Sequence, residues 1–184
     1  MKPLSFLLVI ILTGCAHNPV SLSQDVTLVP WHSTEAIGSV RFPADSDSGD
    51  VEFCVAKNVV NSSVTFSDSA NSFFGAFTGN YYQTTDSETS GGGSVIQHAS
   101  EKGVIAVGVT SYEVSSLIKR FVRFKLTAKP RQYEFENIEQ VQANSGAAPN
   151  TGFQPVGAFT GANPDLALEA LEKIVADIDR CRES

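Results

Sequence analysis

The sequence is poor in the side chains and motifs from which catalytic and metal sites are usually built. It has only three histidines and three cysteines among 184 residues. No two histidines have the i, i+4 spacing of a zinc-binding helix, and the nucleophile elbow, the phosphate-binding loop and the GxGxxG pattern are missing. These absences predict a protein that is not an enzyme and holds neither a metal nor a cofactor. An envelope hydrolase built on two carboxylates is the less favoured alternative, since only the fold can assemble such a pair.

Positive charge is also scarce. The chain has 13 basic and 20 acidic residues, which gives a formal net charge of −7. Proteins that bind nucleic acid usually carry a basic face that neutralises phosphates. The composition therefore excludes nucleic acid as the expected partner, and it offers no polybasic segment for attraction to anionic lipid.

Long apolar segments are absent as well. The apolar run FLLVIIL at positions 6–12 would span about 10 Å as a helix, whereas a bilayer requires about 20 residues. A lysine at position 2 precedes this run, and Leu12-Thr13-Gly14-Cys15 completes it. The order of basic start, apolar segment, small residues and cysteine resembles the lipobox region of bacterial lipoproteins. An ordinary secretory signal and an uncleaved segment are the alternatives.

The resemblance implies that residues 1–14 are a signal peptide and that Cys15 is the first residue of the mature protein. In that family the cysteine carries acyl chains, and two or more chains make a stable membrane anchor. The next residue is Ala16, whereas Asp at this position retains such lipoproteins in the inner membrane. We therefore expect an outer-membrane lipoprotein that faces the periplasm. Residues 15–26 would be the lipidated cysteine and a polar tether, and residues 27–184 a single domain.

Two cysteines are left once Cys15 is assigned to lipid. Because an exported lipoprotein folds in an oxidising compartment, Cys54 and Cys181 are expected to form a disulfide. The bridge would close a loop of about 128 residues, to which the chain-entropy description assigns about 4 to 5 kcal/mol of stabilisation. Two free, buried thiols are the alternative.

The middle of the chain shows the alternating pattern of strands. Two hairpins are predicted where pairs of such segments flank short polar turns. Their strands are residues 94–99 with 104–109 and residues 121–128 with 133–141. A further strand pair is predicted at residues 38–42 and 51–59, joined by an acidic turn. The segment from 61 to 94 is rich in Ser, Thr, Asn and Gly, and its end, SGGGS, is typical of a flexible loop.

The end of the chain predicts an amphipathic helix. Asn163 suits the N-cap, Pro164 the first helical position and Arg182 the negative end of the helix dipole. The apolar face consists of Leu168, Leu171, Ile174, Val175, Ile178 and Cys181. Such a face is expected to cover a sheet. The predicted fold is α+β: an antiparallel sheet of two or more hairpins with the C-terminal helix packed on one face, its last turn joined by the disulfide to an early strand.

The basic residues are concentrated between positions 119 and 131. One interpretation is a surface patch that binds acidic headgroups, a glycan or a partner. That patch would centre on Lys119, Arg120 and Arg131. The favoured interpretation for the neighbouring Arg123 and Lys125 is structural, because on the solvent face of a strand they would pair with Glu134 and Glu136 of the next strand.

Asp45, Asp47 and Asp50 are close enough in sequence to suggest a calcium loop. The glycine of such a loop falls one place early, at Gly49, and Ala56 stands where its last glutamate would be. A solvated hairpin turn is therefore predicted instead of a metal site.

An aromatic cluster lies within the Ser- and Gly-rich segment. Its members are Phe73, Phe74, Phe77, Tyr81 and Tyr82. We expect the cluster to pack as core beneath a loop or, alternatively, to form a binding surface for a membrane, a partner or a pocket ligand. Phe77 belongs to the string GAFTG, which recurs at residues 157–161 without matching flanks and so does not indicate a repeat architecture.

These features predict a lipid-anchored, non-enzymatic envelope protein that binds or supports another component of the envelope. The alternative is a carrier for a small apolar ligand or lipid. Such a carrier would hold its ligand in a pocket between sheet and helix, lined by the aromatic cluster.

Overall fold

The computed structural model describes residues 22, 25–45 and 48–184. The expected signal peptide, Cys15 and most of the tether lie outside these residues. The strands are β1 Val26–Trp31, β2 Thr34–Pro43, β3 Ser63–Asp68, β4 Phe73–Phe74, β5 Tyr81–Tyr82, β6 Asp86–Gly91, β7 Ile96–Ser100, β8 Gly103–Ser115, β9 Ile118–Lys129, β10 Gln132–Gln142 and β11 Gln154–Pro155. The helices are α1 Val51–Asn58 and α2 Pro164–Arg182, with a 3₁₀-helix at Thr160–Ala162. Because β1 begins at Val26, the last residue assigned to the tether belongs to the sheet.

One antiparallel sheet organises the fold, in the strand order β1-β2-β10-β9-β8-β7, with β11 paired to part of β10. Both predicted hairpins are confirmed, as β7 with β8 and β9 with β10. Strands β8, β9 and β10 extend beyond the predicted bounds, whereas β7 begins two residues later than predicted and ends one residue later. Strand β8 also pairs with β9. The predicted alternation holds in β9, where Phe124 and Leu126 are buried and Arg123 and Lys125 are only partly buried.

Helix α2 covers one face of this sheet, so the α+β prediction is confirmed. Leu171 and Ile178 of α2 are buried and share the main core with Phe135 of β10. Asn163 differs from the expectation, because it is left-handed (φ 55°) and its side chain makes no capping hydrogen bond. Its N–H donates to the carbonyl of Thr160 and so ends the 3₁₀-helix.

Residues 51–58 form a helix and not the predicted strand. The apolar residues at its start alternate as in a strand, but Val55 and Val59 are buried four residues apart, which is a helical spacing. Asp50 begins the helix, since its Oδ1 accepts a hydrogen bond from the N–H of Phe53 at 2.9 Å. The acidic segment therefore joins a strand to a capped helix and is not a hairpin turn.

The predicted disulfide is present and joins Cys54 of α1 to Cys181 of α2, with the Cα atoms 5.6 Å apart. It connects the last turn of α2 to a helix instead of the predicted early strand. The C-terminal end of α1 packs on β8, where Val59, the residue that follows the helix, lies against Gly108: an added Cβ there would be 2.6 Å from Cγ1 of Val59. The bridge thus holds both helices on the same face of the sheet.

Arg182, which the sequence places at the negative end of α2, is buried there. Its guanidinium donates to the hydroxyl of Tyr133 and to the carbonyls of Ser48 and Pro130, each at 3.0 Å. The carboxylate of Asp179 accepts from the Tyr133 hydroxyl at 2.6 Å and lies 3.7 Å from Arg182. Burial, together with the hydrogen bond to Asp179, raises the pKa of Tyr133 to about 12. Because these polar groups satisfy one another, they fasten the end of α2 to the β9–β10 turn.

Candidate functional site

The part of the chain that follows α1 and precedes β7 forms an arm, which extends from the main sheet. Here β3 pairs with β6 and β4 with β5, so the chain doubles back on itself as an antiparallel ribbon. Thr65 and Thr89 bond through their hydroxyls across this ribbon at 2.8 Å. We call residues 63–91 the arm and residues 69–85, beyond the last β3–β6 pair, the arm tip. Much of the segment that resembles a flexible loop in composition is therefore a β-ribbon.

The base of the arm is packed on the sheet face opposite to α2. Val64 and Phe66 of β3 are buried with Val141 of β10 in a second, small core, against which Phe121 of β9 also packs. Phe121 precedes Val122, whose side chain belongs to the main core. Since neighbouring residues of a strand point to opposite faces, the two cores lie on opposite sides of the sheet.

Hydrogen bonds hold the arm where its tip begins. Asp68 accepts from the N–H of Asn150 at 2.8 Å and from that of Ala70 at 3.0 Å. These bonds, with Asn150 the larger cause, hold the pKa of Asp68 below its usual value. The side chain of Asn150 also donates to the carbonyls of Ser67 and Gln142. The arm is therefore fixed at its base by apolar contacts and by hydrogen bonds, and its tip extends past these contacts.

All five aromatic side chains of the arm tip are exposed. Their relative exposures are 57% for Phe73, 73% for Phe74, 104% for Phe77, 54% for Tyr81 and 42% for Tyr82. Phe73 stacks on Tyr82 with ring centroids 5.1 Å apart, and Phe74 lies against Tyr81 at 5.0 Å. Directly paired residues share one face of a ribbon, so each face carries one Phe–Tyr pair. The interpretation of the cluster as core is wrong, because both faces of this two-stranded ribbon are open to solvent.

The arm tip is uncharged. Residues 69–85 contain no Asp, Glu, Lys, Arg or His, while Asp68 precedes the tip and Asp86 follows it. Inside the tip, the hydroxyl of Ser72 donates to the carbonyl of Thr84 and accepts from its N–H. The tip can therefore leave water without desolvating a charged group.

The three basic residues considered for a surface patch do not lie together. Lys119 and Arg120 are near the start of β9, whereas Arg131 lies in the turn beyond the other end of that strand. Arg120 donates to the carbonyls of Gly161 and Ala162 at 3.2 and 2.7 Å. Arg120 thus ties down the loop before α2, and the geometry does not unite the three side chains in one binding surface.

Arg123 and Lys125 form cross-strand ion pairs, with one change of partner. Lys125 pairs with Glu136 at 3.0 Å, as predicted. Arg123 pairs with Glu139 instead of Glu134, because the register of β9 and β10 places Glu134 opposite Thr127 and, after a shift, Glu139 opposite Arg123. Glu134 pairs with an arginine of β2. The structural interpretation of these two basic residues is therefore the right one.

The two copies of GAFTG have different conformations. In the second copy the ring of Phe159 lies over Gly157, where an added Cβ would be 2.3 Å from its Cε1. In the first copy Phe77 is fully exposed at the end of the arm. The repeated string therefore has no common structural role.

Three cavities bear on the carrier hypothesis. One of about 380 Å³ lies between β2 and α2, and its lining combines apolar side chains such as Phe42 and Leu168 with five charged ones. Another, of about 580 Å³, lies between β8 and α2, and four of its nine lining residues are charged: Glu113, Glu169, Glu172 and Lys173. These four side chains do not suit an apolar ligand. The third, of about 270 Å³, lies at the arm base beside Phe153 and is smaller than the ligand sites of about 300 Å³ and above. The aromatic cluster lines none of these cavities, because it lies at the arm tip, beyond the contacts that hold the arm base on the sheet.

In the part of the chain that the structure describes, no group of three or more His, Cys, Asp or Glu side chains is arranged to hold a metal ion. Of the calcium candidates, Asp50 caps α1, and the N–H of Asp45 donates to the carboxylate of Asp179 at 3.2 Å. Asp47 lies outside the described residues. Neither of the two described α-helices has the length and apolar character needed to cross a membrane.

Comparison of the chain with known proteins gives no family and no relative. No protein-family model, curated protein or solved structure matches it. A functional conclusion therefore depends on the geometry and chemistry of the arm tip.

Proposed function

We propose that this chain is a lipid-anchored, non-enzymatic protein of the bacterial envelope, and that the arm tip is its contact element. Acyl chains on Cys15 would hold the protein at the outer membrane, facing the periplasm. The observation that carries the proposal is the exposure of five aromatic side chains at the end of a ribbon whose base is packed and hydrogen-bonded.

A cluster of exposed aromatic side chains needs an explanation. Monomeric proteins rarely expose large contiguous apolar patches, and such patches mark interaction sites. Burying one Phe side chain contributes about 1.5 to 3 kcal/mol, and aromatic residues are frequent among those that dominate binding energy. The arm tip thus has the chemistry and the accessibility of a binding element.

The base of the arm supports this use. Val64 and Phe66 are buried, and Asp68 is held by two backbone N–H groups. A contact element that is already ordered loses less conformational entropy on binding than a flexible loop does. The small core and the hydrogen bonds therefore favour binding by the tip as well as stability of the fold.

Site-specific photo-crosslinking in cells tests the contact role. A photoreactive phenylalanine analogue replaces Phe77 and, in a matched control, Leu117, which is 91% exposed in the β8–β9 turn. We expect crosslinks to an envelope component, either lipid or protein, from position 77 and none from position 117. Lack of crosslinks from position 77, with the protein present in the envelope fraction, would contradict the contact role.

Mass spectrometry of the mature N-terminus tests the anchor. We expect Cys15 to carry acyl chains in the wild-type protein, and Cys15→Ser to abolish the modification and release the protein from the membrane fraction. An unmodified Cys15 in the wild-type protein would contradict the lipoprotein assignment.

A further inference from the structure

We propose that the arm tip inserts into the interfacial layer of the bilayer that carries the acyl anchor. This proposal rests on the proposed role of the arm tip as contact element, and it names what the tip contacts. Three features of the tip support it: the directions of its aromatic side chains, its lack of charge, and the distance of the nearest acidic residues from its apex.

Aromatic side chains lie on every side of the tip. Phe73 and Tyr82 occupy one face of the ribbon, Phe74 and Tyr81 occupy the other, and Phe77 lies in the turn. A ribbon that docks flat on a protein covers one face and leaves the other in water. A lipid layer surrounds whatever enters it, so it covers both faces and the apex at once.

The chemistry of the tip matches the membrane–water interface. Residues 69–85 carry no charge, so insertion requires no ionised side chain to leave water. Tyr places an apolar ring beside a hydroxyl that can stay among the lipid headgroups. The formal net charge of −7 opposes attraction to anionic lipid, so burial of apolar surface is the driving force.

The acidic residues of the arm limit the depth of insertion. Phe77 lies less than about 13 Å along the arm from Phe73, the reach of four strand residues, because residues 76–78 form a turn that the Gly79 N–H closes on the carbonyl of Gly75. Interfacial elements are buried by about 5 to 10 Å, which is enough to immerse Phe77 and part of the Phe–Tyr pairs. Asp68 and Asp86 are opposite each other at the end of the β3–β6 ribbon, farther from the apex, and therefore stay in water.

The anchor would keep the tip close to the bilayer. An extended tether from Cys15 to Val26, the first residue of β1, spans at most about 40 Å. Insertion of the tip is then an intramolecular step with a high effective concentration of membrane, so that a tip of modest affinity is sufficient.

Quenching by brominated lipid tests the proposal on the lipidated full chain in phosphatidylcholine vesicles. The chain has one tryptophan, Trp31, so the wild-type protein supplies the background. Phe77→Trp places a reporter at the apex, and Leu117→Trp places a matched reporter at another exposed turn. We expect brominated acyl chains to reduce the added emission from position 77 about twofold or more and to leave that from position 117 unchanged.

A second variant tests whether the aromatic surface drives insertion. Phe74→Ser, added to the position-77 reporter, should lower the ratio of inserted to withdrawn tips about tenfold to hundredfold, as expected for the loss of one buried Phe. Thermal unfolding of each variant is the folding control, because all three substituted side chains are exposed.

Each negative outcome has a defined meaning. Equal emission from position 77 with and without bromine overturns the membrane proposal, and so does quenching that Phe74→Ser leaves unchanged. If the photoreactive group at position 77 then crosslinks to a protein in cells, the tip enters a protein socket and its proposed role as contact element stands. If it crosslinks to nothing, both proposals fall.

Discussion

Removal of the disulfide is the perturbation whose magnitude follows most directly from the fold. Cys54 and Cys181 are separated by 127 positions and join α1 to α2. The chain-entropy description assigns a loop of this length about 5 kcal/mol, and loss of native disulfides typically costs about 2 to 5 kcal/mol. We therefore expect the double substitution Cys54→Ala, Cys181→Ala to reduce the free energy of unfolding by about 3 to 5 kcal/mol.

The loss of stability in the double Ala variant should be greatest around α1. This helix has eight residues, too few to be stable without tertiary contacts. Besides the disulfide it depends on the Asp50 cap and on the packing of Val55 and Val59. Amide hydrogen exchange in α1 should therefore accelerate more than exchange in β9 or β10, which lie inside the main sheet.

Urea titration and thermal unfolding followed by circular dichroism measure the effect. For a chain of this size, a loss of about 3 to 5 kcal/mol corresponds to a fall in Tm of about 6 to 20 °C. Reduction of the wild-type protein should reproduce the fall, and reductant should have no effect on the double Ala variant. A change below about 1 kcal/mol, or free thiols that titrate at both positions in the unreduced wild-type protein, would refute the reasoning.

Three further predictions concern stability. Because the pKa of Tyr133 is raised to about 12 from an ordinary value of about 10, the folded state retains this proton more strongly, and stability should fall by about 2 to 3 kcal/mol as pH rises from about 10 to 12. Gly108→Ala should cost about 1 to 3 kcal/mol by overpacking, since the added Cβ would lie 2.6 Å from Cγ1 of Val59. Asp50→Ala should cost about 0.5 to 2 kcal/mol through loss of the α1 cap.

Each of these predictions has its own control, measured by urea unfolding. Tyr133→Phe should remove the loss of stability that Tyr133 causes between about pH 10 and 12. If the dependence of stability on pH stays unchanged, Tyr133 is not its cause. Val59→Ala should relieve part of the strain of Gly108→Ala, the rest being due to Phe124, whose Cζ would lie 2.8 Å from the added Cβ. Fully additive costs in the double variant would argue against the contact with Val59. Asp50→Asn retains an accepting oxygen and should preserve most of the cap, whereas a cost equal to that of Asp50→Ala would speak against capping.

Elements with a strong local pattern were predictable. In β9 a period of two separates Phe124 and Leu126 from Arg123 and Lys125, and α2 combines Pro164 at its first position with an apolar stripe. Helix α1 was not predictable in the same way, because its apolar residues also alternate as in a strand. The cap at Asp50 and the packing of the helix on β8 favour the helix over the strand.

The candidate site was visible in sequence only as composition. Five aromatic residues within ten positions were expected to be core, with a binding surface as the alternative, because periodicity does not reveal whether another segment covers a side chain. Exposure at the tip follows from the ribbon topology, in which β3 pairs with β6 and the tip extends past their last pair. Likewise, the register shift that gives Arg123 the partner Glu139 is set by the pairing of β9 with β10.

Local patterns and simple counting were enough to predict the two hairpins, the C-terminal helix and the pair of cysteines available for a bridge, since each depends on residues close in sequence or on composition. Long-range packing places Cys54 on a helix, buries Arg182 beside Tyr133 and leaves the aromatic cluster exposed on an arm. The burial of a side chain and the partners it contacts depend on which segments, distant in sequence, pack together. Local sequence patterns do not specify those contacts.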